Sequence, residues 1–298
     1  MSPAAPLAAA ALAAALFIGM DVTVKTLTPR FDALQLTFLR FASGLLFALP
    51  LWAWHRTPMP ARERWPLHAL RSVLLLIALA TWFHSLTLLP LVQAVAVGYT
   101  APIFIALLAM LVLKEKPSRW IWAALAFGVL GSVVGLWPEL TGTGAGGGTD
   151  GGAGDSGTPG SATRLLGMLS AGVSALTYAG VVVLARKQAQ SDALWTILLV
   201  QNLLPALALT VPMALHPPAL TAADIGPVLL IGLLATGGLL SITWAFTHIE
   251  ASRAAPLEYT GLIWATLLGY TMFGEVPSAY TLASAALIVA GSLLLMRR

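Results

Sequence analysis

The sequence contains no cysteine. Disulfides, thiol nucleophiles and cysteine-ligated metals are therefore excluded. Charge is almost as scarce. Asp, Glu, Lys and Arg make up 9% of the 298 residues, where water-soluble domains carry roughly 25%. With 58% hydrophobic residues and a mean hydropathy of +0.85, too much apolar surface remains for a soluble core to hide, so the expected solvent is lipid. The net charge of +4 is small. Lys and Arg sit in the gaps between apolar runs, which argues against a nucleic-acid surface. The five histidines are scattered, and a membrane-embedded lipid-modifying enzyme would need His, Asp or Glu clustered at one face. No catalytic residue, metal site or cofactor is expected.

What the chain does have is long apolar runs. A spanning helix needs about 20 apolar residues to cross a hydrocarbon core about 30 Å thick. Ten runs qualify: 5–25, 33–54, 68–88, 92–113, 118–138, 164–186, 192–213, 225–247, 252–273 and 278–297. They are continuously apolar, unlike the alternating strands of a barrel. The first run lacks a basic flank and is long enough to stay as a span rather than a cleaved signal. The expected fold class is thus all-α, a polytopic membrane protein. With the N-terminus in the cytoplasm, Arg56, Arg62, Arg64, Arg71, Lys114, Lys116, Arg119, Arg186, Lys187, Arg253, Arg297 and Arg298 fall inside, and only Lys25, Arg30 and Arg164 outside. That asymmetry predicts both termini cytoplasmic. The one long polar stretch, TGTGAGGGTDGGAGDSGTPGSAT at 141–163, reads as a flexible tether on the outer side.

A shift of 160 positions superposes the chain on itself without a gap. Asp32-Ala33-Leu34 meets Asp192-Ala193-Leu194, Tyr99-Thr100 meets Tyr259-Thr260, Glu115 meets Glu275, Pro117 meets Pro277, and Gly131-Ser132 meets Gly291-Ser292. The expected organisation is a five-helix repeat at 1–138, a Gly-rich linker at 139–163 and a second repeat at 164–298. Five is odd, so the second copy would cross the membrane upside down. Inverted repeats of this kind recur in secondary transporters, where two near-equivalent bundles exchange shapes to open one side and then the other.

The stretches AVAVGYTAPIFIALLAMLVLKEKPSRWIWAALAFGVLGSVVGL and AAPLEYTGLIWATLLGYTMFGEVPSAYTLASAALIVAGSLLLM resemble the paired EamA-type modules of the drug/metabolite transporter superfamily. Within it, the chain looks most similar to the YddG-type exporters of amino acids. The resemblance implies a bacterial inner-membrane exporter of amino acids, aromatic and other neutral ones among them, acting by alternating access. It also implies that the third, fourth, eighth and ninth helices line a central cavity. Drugs, cations and other small metabolites are alternative cargoes. Beyond the small-molecule substrate and the bilayer, no partner is implied, and the oligomeric state stays open.

Those helices carry the candidate substrate-binding residues. Tyr99 and Tyr259 stand about seven residues into matching spans, each with a Gly and a Pro within three positions that can loosen the helix. Each can meet a substrate or gate, or bond a neighbouring carbonyl. Trp82, Trp244 and Trp264 lie away from the span ends where aromatic belts gather, so they either stack on an aromatic or cationic cargo or serve as lipid-facing or packing residues. His84 is a candidate proton carrier or a neutral buried histidine. Glu258, two turns inside its span, can receive an ammonium or a proton, or pair with Arg253. Asp21 and Arg40 have matching depths and read as a buried structural ion pair, with Arg40 alternatively holding a substrate carboxylate. Glu115 and Glu275, each before a proline, read as hydrated turn acids with gating as the alternative.

Overall fold

The computed structural model describes residues 4–89, 94, 97–98, 100–140, 161–273 and 279–294. Among these every regular element is helical. In chain order they are α1 (Ala4–Leu27), α2 (Ala33–His55), α3 (Trp65–Leu88), α4 (Ala101–Val112), α5 (Arg119–Leu140), α6 (Ser161–Ala189), α7 (Leu194–Leu215), α8 (Ala222–His248), α9 (Ala251–Ala254), α10 (Gly261–Phe273) and α11 (Ala279–Leu294). Short 3-10 segments, Arg62–Arg64 and Ala255–Thr260, lead into α3 and α10. Among the described residues six helices are long and apolar enough to cross a membrane, and they coincide with the first, second, third, sixth, seventh and eighth expected spans. Residues 141–160 of the expected tether lie outside the described residues.

Local chemistry sets the helix starts. The Asp32 carboxylate accepts from Leu34 N at 2.9 Å and Gln35 N at 2.8 Å, and Gln35 Oε1 accepts from Asp32 N in return. This reciprocal cap opens α2. Thr221 and Asp224 do the same for α8. The expected single span 252–273 is broken. Pro256 lacks an amide hydrogen, and the chain passes through the 3-10 turn Ala255–Thr260 before α10 begins at Gly261. The loosening expected around Tyr259 is thus observed.

Helix packing crosses the two halves of the sequence. α3 packs on α6, α1 on α8, α2 on both α7 and α8, and α5 on α11. The approach of α2 to α8 is very close: a Cβ on Gly232 would stand 2.6 Å from the Ser43 carbonyl carbon. Outward-facing Leu111 and Leu215 are 76% and 72% exposed, an apolar exterior that suits lipid contact.

Polar contacts tie the helix ends into two sets. In the first, Lys25 Nζ donates to Leu86 O and, at 2.8 Å, to Leu89 O; Arg30 bonds Asp224; and Gln35 Nε2 donates to His216 O. In the second, Arg64 bonds Asp192, and Thr196 Oγ1 donates to Pro58 O. Arg186 Nη1 there donates to Phe246 O, and Glu115 accepts from Ala251 N and Ser252 N. The end of α1 belongs to the first set and the end of α6 to the second.

Candidate functional site

A cavity of about 200 Å³ opens between α1, α3, α6 and the broken helix around residue 258. Its walls are mostly apolar and include Phe17, Leu75, Leu79, Leu239, Ile242 and Phe246. Four carboxyl or guanidinium side chains among the described residues also line it: Asp21, Arg40, Arg71 and Glu258. Arg40 and Arg71 are each only 3% exposed, and Asp21 6%. Burying an ionised group in low dielectric is costly unless hydrogen bonds replace its water.

Each of the four is held by a neutral partner. Trp82 Nε1 donates to Asp21 Oδ1 at 3.0 Å. The Tyr178 hydroxyl donates to Glu258 Oε1 at 3.3 Å. Arg40 Nη1 donates to Asn202 Oδ1 at 3.0 Å. Arg71 donates to Gln188 Oε1 at 2.6 Å and to Gln201 Oε1. Asn202 is fixed in turn, since its Nδ2 donates to Leu198 O at 2.8 Å. Gly44 makes room for it, because a Cβ there would stand 2.5 Å from Asn202 Oδ1.

The expected Asp21–Arg40 ion pair is not formed. Asp21 is taken by Trp82 and Arg40 by Asn202. Both side chains line the one cavity, but Trp82 on α3 and Asn202 on α7 give each a different partner. Glu115 is not a hydrated turn acid. Its side chain is 8% exposed, it accepts the first free amides of α9, and it lies 3.9 Å from Arg186 Nε. It serves as a cap across the halves. Arg71, counted above among the cytoplasmic-side cations, is seven residues into α3 and reaches the cavity.

Of the other candidates, Trp82 and Glu258 line the cavity. Tyr259 is 1% exposed and packs on α5, where a Cβ on Gly128 would come within 2.2 Å of its ring. Trp264 is 36% exposed. Trp244 stacks obliquely on His248 with ring centroids 4.7 Å apart. His84 is half-buried and, like Trp244, Trp264 and Tyr259, stands apart from the described lining. Tyr99 and Glu275 lie outside the described residues. The residues sequence reading passed over are Tyr178, Arg71, Gln188, Gln201 and Asn202. The only signal was a run of polar side chains within apolar spans: Gln201-Asn202 in the seventh, Tyr178 in the sixth.

The lining is doubled along the chain. Ala14 and Ser174, Ile18 and Tyr178, Asp21 and Val181, Leu79 and Leu239, Trp82 and Ile242, Gly98 and Glu258, Ala101 and Gly261 all line it, and each pair stands 160 positions apart.

The EamA-like transporter family model matches residues 5–137 and again 165–297. Curated relatives cover nearly the whole chain. A protein described as a riboflavin transporter of Rhizobium johnstonii is 29% identical over 296 residues, 96% of this chain and 89% of that one. An S-adenosylmethionine uptake transporter of Rickettsia prowazekii is 24% identical over 93% of this chain and 87% of its own. The pseudopaline exporter CntI of Pseudomonas aeruginosa is 26% identical over 97% and 94%. One solved crystal structure shares the fold with a TM-score of 0.72 at 21% identity, covering 98% of this chain and 96% of that one.

Proposed function

The chain belongs to the EamA-like transporter family, a polytopic membrane transporter rather than an enzyme, and from that premise we propose that it exports neutral amino acids, aromatic ones included, across the bacterial inner membrane. The carrier is a ten-helix bundle of two inverted five-helix repeats, 1–138 and 164–298, joined by the linker 139–163, with both termini cytoplasmic. Alternating access is the exchange of shape between the two repeats around the cavity.

The observation that carries this reading is the doubled cavity lining, in which positions 160 apart come from both halves to enclose one space. The two sets of helix-end contacts support inversion. α1 ends beside the start of α8, whereas α6, the counterpart of α1, ends beside the start of α3. The lysine on Leu86 O and the arginine on Phe246 O brace carbonyls that also stand 160 apart, one in each set. These two braces are matched latches, and releasing one while the other holds would open one mouth.

Cavity chemistry supports the cargo. Apolar walls with separated acidic and basic groups suit a compact solute with an apolar body and both charges. The volume of about 200 Å³ lies below the roughly 300–1,000 Å³ of sites for drug-sized ligands, which favours an amino acid over a large heterocycle. Counterflow in liposomes provides the test. Protein preloaded with unlabelled L-phenylalanine should accumulate labelled L-phenylalanine transiently and saturably. Flux no higher than that of protein-free liposomes across a panel of neutral amino acids contradicts the assignment.

A further inference from the structure

We propose that Arg40 and Arg71 form a subsite that receives the carboxylate of the transported solute, an inference that rests on the transporter reading above and narrows its substrate class to carboxylate-bearing compounds. Both guanidinium groups line the same cavity and both are buried. Both are anchored on α7, Arg71 by Gln201 and Arg40 by Asn202. Among the described residues every hydrogen-bond acceptor on them is a neutral amide. No ion pair to either occurs among the described residues. A guanidinium carries five donors, so donor capacity remains unused beside an apolar space, and a bidentate carboxylate satisfies it best.

The repeat supplies a second argument. Walls of the cavity recur in both halves, but the charges do not. Val200 stands at the counterpart of Arg40, Ile231 at that of Arg71, Val181 at that of Asp21 and Gly98 at that of Glu258. Each of these four is supplied by one copy only, so the shared cavity carries an asymmetric set of charges that suits an asymmetric solute. Asp21 and Glu258 share the cavity with the arginines. Their presence disfavours a dianion such as a phosphate monoester and suits a solute that also carries a cation.

The test is equilibrium binding to the purified full-length protein in detergent, using four probes of one shape: L-phenylalanine, L-phenylalaninamide, phenethylamine and 3-phenylpropionate. The two carboxylates are expected to bind at least tenfold more tightly than the amide and the amine. Arg71→Gln and Arg40→Gln are expected to erase that preference, while Arg71→Lys, which keeps charge but not the fork, retains part of it. Amide or amine binding equal to that of phenylalanine overturns the subsite and leaves the amino-acid reading standing. Binding of 3-phenylpropionate without phenylalanine supports the subsite and overturns the amino-acid reading. Binding of none of the four overturns both. The wild-type comparison decides the matter even if a glutamine variant fails to fold.

Discussion

Asn202 joins the fold to the cavity: its Nδ2 is committed to Leu198 O, and its Oδ1 faces Arg40. Asn202→Ala removes the acceptor and strands a buried guanidinium, so it should lower stability by about 1–3 kcal/mol, read as a drop in thermal unfolding temperature in detergent. Asn202→Asp separates the two roles of Arg40. A carboxylate in place of the amide gives Arg40 an internal ion pair but gives up the donation to Leu198 O, so in the folded variant phenylalanine binding should fall at least tenfold. Unchanged binding in a folded Asn202→Asp protein would argue against Arg40 as a cargo contact. Trp82 and Glu258 were legible because an aromatic and an acid stand out inside apolar runs. Arg71 was not, since a cation seven residues into a helix reads as a marker of the membrane edge until the neighbouring helix supplies its glutamines. The Asp21–Arg40 pairing failed for the same reason: depth follows from the chain, but partner choice follows from packing.

Among the elements, α2 and α8 meet with almost no space between them. Gly232→Ala would drive a methyl group into the Ser43 backbone. A backbone cannot yield as the tip of a side chain does, so overpacking of about 1–3 kcal/mol is expected, again measured by thermal unfolding. A variant as stable as the parent would mean that the two helices are free to separate. Hydropathy alone located the six long helices, because lipid demands a continuous apolar length whatever the tertiary contacts. It could not foresee that Glu115 caps α9 from across the sequence, since a capping bond between residues 115 and 251 depends on the assembled bundle. The break at Ala255–Thr260 was legible in part, through Pro256 and Gly261.

For the whole molecule, the proposal is one five-helix unit used twice in opposite senses, with shape shared by both copies and charge supplied by single ones. The natural absence of cysteine makes this testable with single reporters on an otherwise unchanged chain. Met59 and Ala219 are exposed, stand 160 positions apart, and follow the second long helix of their respective halves. Met59→Cys and Ala219→Cys, each labelled in intact cells by a membrane-impermeant maleimide before and after permeabilisation, measure the inversion directly. Inverted copies place the cysteine at 219 within reach of the external reagent and the one at 59 within reach only after permeabilisation. Labelling of both from the same side would contradict the inverted repeat and remove the physical basis for alternating access.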